Sequence, residues 1–196
     1  VVTVVSAKAS AAGHKPRAQL LSLSVDDTET LEADQLAVQS MLGSRYLAYF
    51  ESQVRATHAD LTAVGDVVQL LADVQRAWTY LGPLFLASDE VKRELPEDAR
   101  RFEDIDVQVR DVLRRAGEVR NVRRACTEPG LQARLETASE QLELCKKSLT
   151  EFLDGKRRQF PRFYFVSEAD MLDMLSNGNN PARIMHHISK VFLATD

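Results

Sequence analysis

The chain has 196 residues and a mass of 22.0 kDa, is 44% apolar and 28% charged, and carries a net charge of −4. Its ordinary apolar content argues against disorder, and its acidic balance against a nucleic-acid binder, which should be strongly basic. No stretch of about 18 consecutive apolar residues is present to span a membrane. Only 8 Gly and 6 Pro interrupt it, where average usage of about 12% would supply roughly 23, so long helices are favoured over strands.

Residues 1–25 form a poorly defined N-terminal segment. Val1 to Val5 reads as a strand or a severed end, Gly13 to Pro16 as a loop, and Ala18 to Val25 as an extended piece or a helix start. The opening lacks the basic start and long apolar run of a signal peptide. It also lacks an initiator Met, which suggests a slice of a longer chain. Asp26 with Glu29 has the spacing of a capping box. A helix is expected from about Thr28, with Leu31, Val38, Met41 and Leu42 on its buried side, interrupted at Gly43-Ser44. Helix resumes through Tyr46, Phe50 and Val54. Leu61, Val64, Val68, Leu71, Val74, Trp78 and Leu81 then recur at steps of three and four, the period of one helix face. Gly82-Pro83 is expected to stop it.

Ser88 or Asp89 can cap a short helix ending before Pro96. The next helix starts near Pro96, with Glu97 and Asp98 in its first turn and a face of Phe102, Ile105, Val109, Val112 and Ala116. Gly117 predicts a break, and Val119, Val122 and Cys126 predict one more short helix before Pro129-Gly130. Leu131, Leu135, Ala138, Leu142, Cys145, Leu149 and Phe152 then follow a strict seven-residue repeat over three heptads. One partner helix, in cis or in trans, must cover that face. Antiparallel packing in a bundle suits a run this short. Gly155 is expected to end the helix.

The segment KRRQFPRFYFVS differs from everything before it. Pro161 blocks helix, so residues 156–166 read as an extended connector with aromatic anchors. Ser167 to Asp170 repeats the capping-box logic ahead of Met171, Leu172 and Leu175. Asn177-Gly178 is a stop. Asn180-Pro181 starts a last helix with Ile184, Met185, Ile188, Val191 and Phe192 on one face, which looks unfinished where the sequence ends.

The sequence carries no phosphate-binding loop, no HExxH and no GxSxG, so no catalytic, cofactor-binding or metal-binding residue is assigned. His186-His187 are adjacent, hence about 100° apart on a helix, and read as solvent or helix-end contacts rather than metal ligands. Cys126 and Cys145 have no metal spacing and no disulfide framework, which points to a reduced, intracellular compartment. Cys145 reads as a small buried hydrophobe; Cys126 lies near Arg123 and Arg124, which could lower its pKa. Arg114, Arg115, Arg120, Arg123 and Arg124 read as a solvated helix face. Lys156, Arg157, Arg158 and Arg162, interleaved with Phe160, Phe163, Tyr164 and Phe165, read as a docking or structural contact. Trp78 reads as a core anchor. The structural or docking candidates are therefore Trp78, Phe160, Arg162, Phe163, Tyr164 and Phe165, with Phe160, Phe163 and Phe165 expected to wedge successive bundles together.

The aromatic segment resembles the linker region of dynein heavy chains, which carry KR..FPRFYF before a capped, Leu-rich helix. Here that reads Lys156-Arg157, Phe160 to Phe165, Val166-Ser167, then Asp170, Met171, Leu172 and Leu175. Other landmarks fall in family order. Leu36, Gln39, Met41, Ser44, Arg45 and Phe50 resemble the family's LQ.M..SR...F stretch. Gln75, Trp78, Tyr80, Leu81, Pro83 and Phe85 resemble Q..W.YL.PIF. Leu95, Pro96 and Phe102 resemble LP.....F, and Pro129-Gly130-Leu131 resembles PGL. The likeness covers about residues 26–196, and the tail SEADMLDMLSNGNNP looks most like axonemal chains of the outer-arm beta class. Leu71, Gly82 and Val109 depart from the family pattern, all at packing positions.

The resemblance implies an all-α fold, an elongated array of antiparallel helical bundles with little or no β structure. Residues 26–155 would form linker bundles, 156–166 the connector and 167–196 the start of the next bundle. It also implies a mechanical lever that couples ATP hydrolysis in an AAA+ ring to microtubule-based motility. ATP and Mg would sit in the ring of the parent chain, not in this segment. The implied partners are that ring, the adjoining tail, the dynein complex subunits and, through the full motor, microtubules, with no nucleic acid and no membrane. The implied location is the cytoplasm and the axoneme of a cilium or flagellum. The alternative is a helical scaffold or coiled-coil adaptor that binds a protein partner through the heptad face.

Overall fold

The heptad face is covered by the chain itself. In the computed structural model Leu131, Leu135, Ala138, Leu142, Cys145 and Leu149 are all buried. The structure describes residues 3–6, 19–22, 24–177, 180, 185, 187, 191 and 192. Its elements are β1 (Thr3–Ser6), β2 (Gln19–Ser22), α1 (Val25–Leu42), α2 (Glu51–Ala87), α3 (Asp89–Glu94), α4 (Pro96–Val119), α5 (Val122–Cys126), α6 (Leu131–Gln159) and α7 (Glu168–Ser176). Short 3-10 helices lie at Leu47–Tyr49 and Pro161–Phe165. The fold is all-α with bundle-like helix packing, as the resemblance implied; the β structure among the described residues is one antiparallel ladder, Val4 opposite Leu21. The chain divides into two compact units, Val1–Gln75 with Val107–Ser139 and Arg76–Asp106 with Glu140–Asp196.

In the first unit, α1 starts at Val25, three residues before the expected Thr28, and its cap lies two residues before the expected Asp26. Ser24, not Asp26, is the N-cap: its Oγ accepts the N–H of Asp27 at 3.1 Å and donates to the Asp27 carboxylate at 2.8 Å. A serine hydroxyl does both jobs, which a carboxylate at the cap cannot. No α1 residue is fully buried. Leu31, Gln35, Val38 and Leu42 make a half-buried stripe, whereas Met41, expected inside, is 50% exposed. Gln35 donates its amide N–H to the Leu61 carbonyl of α2 at 2.9 Å. Gly65 allows that approach, because a Cβ there would sit 2.7 Å from Gln35 Nε2. Gln75 acts as a substitute strand: it accepts from Leu21 N–H and donates to Leu21 C=O, both at 2.9 Å. On α2 the buried residue is Val67 rather than Val68. Val64, Val67, Leu71 and Val74 thus step by three and four in strict alternation, as coiled-coil-like packing prefers.

In the second unit, α2 ends and α4 begins. Phe85 stacks on Phe102 at 5.4 Å between centroids, and Trp78 reaches Asp106, so the two helices run antiparallel. Cys145 of α6 lies against the backbone of Asp98 on α4. Lys156 of α6 pairs with Glu90 of α3 at 3.3 Å.

Three expected breaks do not occur. Helix α2 passes through Gly82-Pro83 to Ala87. Pro83 forfeits its bond to the carbonyl of Thr79, but both residues face solvent, where water replaces that bond. Continuing the helix buries Leu84 and Phe85, each worth about 1.5–3 kcal/mol. Helix α4 passes Gly117 and stops at Val119, where Arg120 takes a left-handed φ of 52°. The Arg114–Glu118 pair at 2.8 Å spans that glycine. Helix α6 passes Gly155 and ends at Gln159, with the Asp154–Arg157 pair at 3.0 Å spanning it. A mid-helix glycine costs only about 1 kcal/mol, less than the packing on either side supplies. Phe152 is half-buried, and Leu153 takes the last core position. The aromatic connector is not extended either. Residues 156–159 belong to α6 and Pro161–Phe165 is 3-10, leaving only Phe160 and Val166 in extended backbone. Proline forbids a helix interior but suits a first turn, which is where Pro161 sits.

Candidate functional site

Trp78 is a buried anchor with a polar handle. Its indole Nε1 donates to Asp106 Oδ1 at 3.0 Å, and Asp106 is itself buried. The helical period placed Trp78 inside, but nothing in the period singled out Asp106. A carboxylate between Ile105 and Val107 on α4 reads as surface until α2 is set against it.

Val166 and Ser167 position the aromatic segment. Val166 is buried and donates its N–H to Phe163 C=O, closing the 3-10 helix. Ser167 Oγ accepts from Asp170 N–H at 3.2 Å and starts α7. Phe160 packs edge-on against Phe163 at 4.9 Å and approaches Phe192 at 6.4 Å. The Arg162 guanidinium lies 4.6 Å over the Phe192 ring. Tyr164 and Phe165 point outward, 61% and 82% exposed. The segment therefore splits. Phe160 packs on both Phe163 and Phe192, and Arg162 on Phe192, while Phe165, expected as a wedge, stays mostly exposed among the described residues and Val166 holds the buried position instead.

The basic stretches are largely neutralised from within. Arg114 pairs with Asp111 and Glu118, Arg115 with Asp111 and Glu128, and Arg123 with Asp60 at 2.5 Å. In the second stretch Lys156 pairs with Glu90, and Arg157 with Asp154 and Glu168. The pairs of Arg114 and Arg115 with Asp111, Arg114 with Glu118 and Arg157 with Asp154 are helical pairs at three- and four-residue spacing, and the others join different elements. The hydrogen bond from Arg114, reinforced by the nearby charge of Arg115, holds the Asp111 carboxyl below the usual carboxylate range.

His187 was the less expected contact. It is buried, with Nε2 2.7 Å from Asp173 Oδ2 and Nδ1 3.3 Å from Asp170 Oδ1, both on α7. Its neighbour His186 and the expected face residues Ile184 and Ile188 lie outside the described residues. Among the described residues no cluster of His, Cys, Asp and Glu is built to hold a metal ion. Burial pushes the Cys126 thiol up to about 11, against the lowering expected from its arginine neighbours; one of those arginines, Arg123, is turned to Asp60. Burial raises Cys145 as well, helped by the charge of Asp98. Among the described residues no helix is long and apolar enough to cross a membrane.

An ordered set of helical landmarks, a covered heptad face and an aromatic segment at a helix junction define a helical structural element. Residues 3–195 match the family described as dynein heavy chain, N-terminal region 2. The chain belongs to that family. It is 47% identical over 176 residues to the dynein alpha chain of the flagellar outer arm of Chlamydomonas reinhardtii, which covers 90% of this chain and 4% of that protein. It is 41% identical over 164 residues to dynein axonemal heavy chain 17 of Homo sapiens, covering 84% of this chain and 4% of the relative. It is 38% identical over 173 residues to the ciliary dynein beta chain of Tripneustes gratilla, covering 88% and 4%. The chain thus spans about 4% of the length of the relatives it matches, which include both alpha and beta chains.

Proposed function

We propose that this chain is a force-bearing segment of the linker of an axonemal dynein heavy chain. It acts as part of the lever that couples ATP hydrolysis in the parent chain's AAA+ ring to movement along microtubules in the axoneme of a cilium or flagellum. It has no catalytic site of its own, and ATP and Mg belong to the ring. Its partners are the ring, the adjoining tail and, through the whole motor, the other dynein subunits and the microtubule.

One observation carries this reading: every heptad position from Leu131 to Leu149 is buried by the chain's own helices. A helix held on one face through successive turns, as α6 is from Leu131 to Leu153, resists bending and can transmit force along its hydrogen-bonded axis. The same observation weakens the adaptor reading, because the face an adaptor would offer a partner is already occupied.

The purified chain should neither hydrolyse ATP nor bind microtubules tightly, and a robust ATPase from it would sink the proposal. In the whole motor, Phe163→Ala should cut motility and lower the melting temperature of the linker. Reduced motility with an unchanged melting temperature would assign Phe163 to ring docking instead of internal packing.

A further inference from the structure

The first unit holds a cleft of about 680 Å³ that the linker reading does not use. Its walls are largely apolar and come from four helices and β2: Leu71 and Ala72 of α2, Ala116 of α4, Ala125 of α5, Leu131 of α6 and Leu21 of β2. Small side chains on α2, α4 and α5 create the depression. Its rim is cationic. Arg115, Arg120 and Arg134 line it, and Glu128 is the one acid among the described lining residues. Glu128 is shared, 3.5 Å from Arg115 and 3.0 Å from Arg134. Asp111 also holds Arg115, at 2.8 Å, while Glu118 is taken by Arg114. No ion pair forms on Arg120 among the described residues, so the rim keeps an excess positive charge there.

Arg120 is also the one described non-glycine residue with positive φ. A glycine would take that conformation without the Cβ penalty. A side chain kept at a strained position beside a cleft is a hypothesis of use, in the direction that inference allows.

We propose that the cleft receives the apolar face of an acidic amphipathic helix from a partner protein. Half the cross-section of a helix about 11 Å across is roughly 48 Å², so 680 Å³ admits the inward half over about 14 Å, or nine residues. That is room for anchors at i, i+3, i+4 and i+7. Acids flanking those anchors meet Arg115, Arg120 and Arg134. The site is independent of the linker reading, because it needs only the first unit.

The test uses the 196-residue chain and two labelled 18-residue helical peptides with Leu at the anchor positions, one with Glu and one with Lys elsewhere. Fluorescence anisotropy should show the Glu peptide binding at least tenfold tighter. The net charge of −4 favours the opposite order for the molecule as a whole, and the loss of the preference in an Arg120 variant assigns it to the cleft. Arg120→Glu, at an exposed position that tolerates the change, should abolish the preference, and amide exchange should slow across residues 119–126 when the Glu peptide is bound. Equal binding of the two peptides, or a Glu peptide that binds Arg120→Glu as tightly as the parent chain, overturns the proposal.

Discussion

Gln75 holds both backbone groups of Leu21 with its side-chain amide, at 2.9 Å each. A primary amide presents the same donor and acceptor as a peptide unit, so Gln75 completes the outer edge of β2. Replacing it with Ala should leave Leu21 with two unpaired groups and cost about 1–3 kcal/mol. The direct check is amide exchange at Leu21, which should accelerate far more than at Val74. Unchanged protection at Leu21 would show that the bonds are dispensable.

Trp78 and Asp106 form a second side-chain pair of this kind, buried in the other unit. Asp106→Ala should destabilise by at least about 1–3 kcal/mol, since it leaves a buried indole N–H unsatisfied. Combining it with Trp78→Phe should cost less than the sum of the two single changes. Urea unfolding of the four chains measures this, and strict additivity would show no coupling.

Two mid-helix glycines should respond oppositely to the same change. No atom lies within 4 Å of a Cβ built on Gly155, so Gly155→Ala should stabilise by about 0.8–1 kcal/mol through helix propensity. Gly65→Ala has the same propensity gain but drives Gln35 off the Leu61 carbonyl. Losing that bond costs about 0.5–1.5 kcal/mol, so the net change should be near zero. Thermal melts that show equal stabilisation from both would remove Gln35 from the account.

Acid should loosen the end of α4. Asp111 titrates below the usual carboxylate range because Arg114 hydrogen-bonds to it. A depressed carboxylate contributes stability that is present above its unfolded value, 3.8, and lost as pH falls through the lower folded value. An NMR titration should find Asp111 low in the parent chain and higher in Arg114→Gln. An ordinary value in the parent chain would contradict the pairing.

Cys126 should be a poor nucleophile. Raising its pKa from 9.0 to about 11 leaves about a hundredfold less thiolate at pH 8, and the thiolate is the reactive form. Iodoacetamide should label it far more slowly than free cysteine, with Cys145 slower still because it is fully buried. Rapid labelling of Cys126 in the native chain would mean that the α5 turn opens.

The sequence by itself determined the helical character, the heptad face from Leu131 to Leu149, the cap at Ser167, the starts at Pro96 and Leu131, and the family through its ordered landmarks. These are local or periodic properties, written in side-chain spacing and in residues that tolerate only certain backbone angles. Only the tertiary structure decided that α2 runs past Pro83, α4 past Gly117 and α6 past Gly155. The local penalties, about 3 kcal/mol for the proline and about 1 kcal/mol for each glycine, are offset by burial against neighbouring helices, with ion pairing beside the glycines. The same holds for the functional candidates. Density of rings marked residues 160–165, but which rings pack and which face water depends on where Val166 and Phe192 lie. Gln75, Asp106 and His187 are polar residues whose partners stand 54, 28 and 14 positions away. No period or motif in one strand of sequence links residues so far apart, because the distance between them is set by how the helices pack.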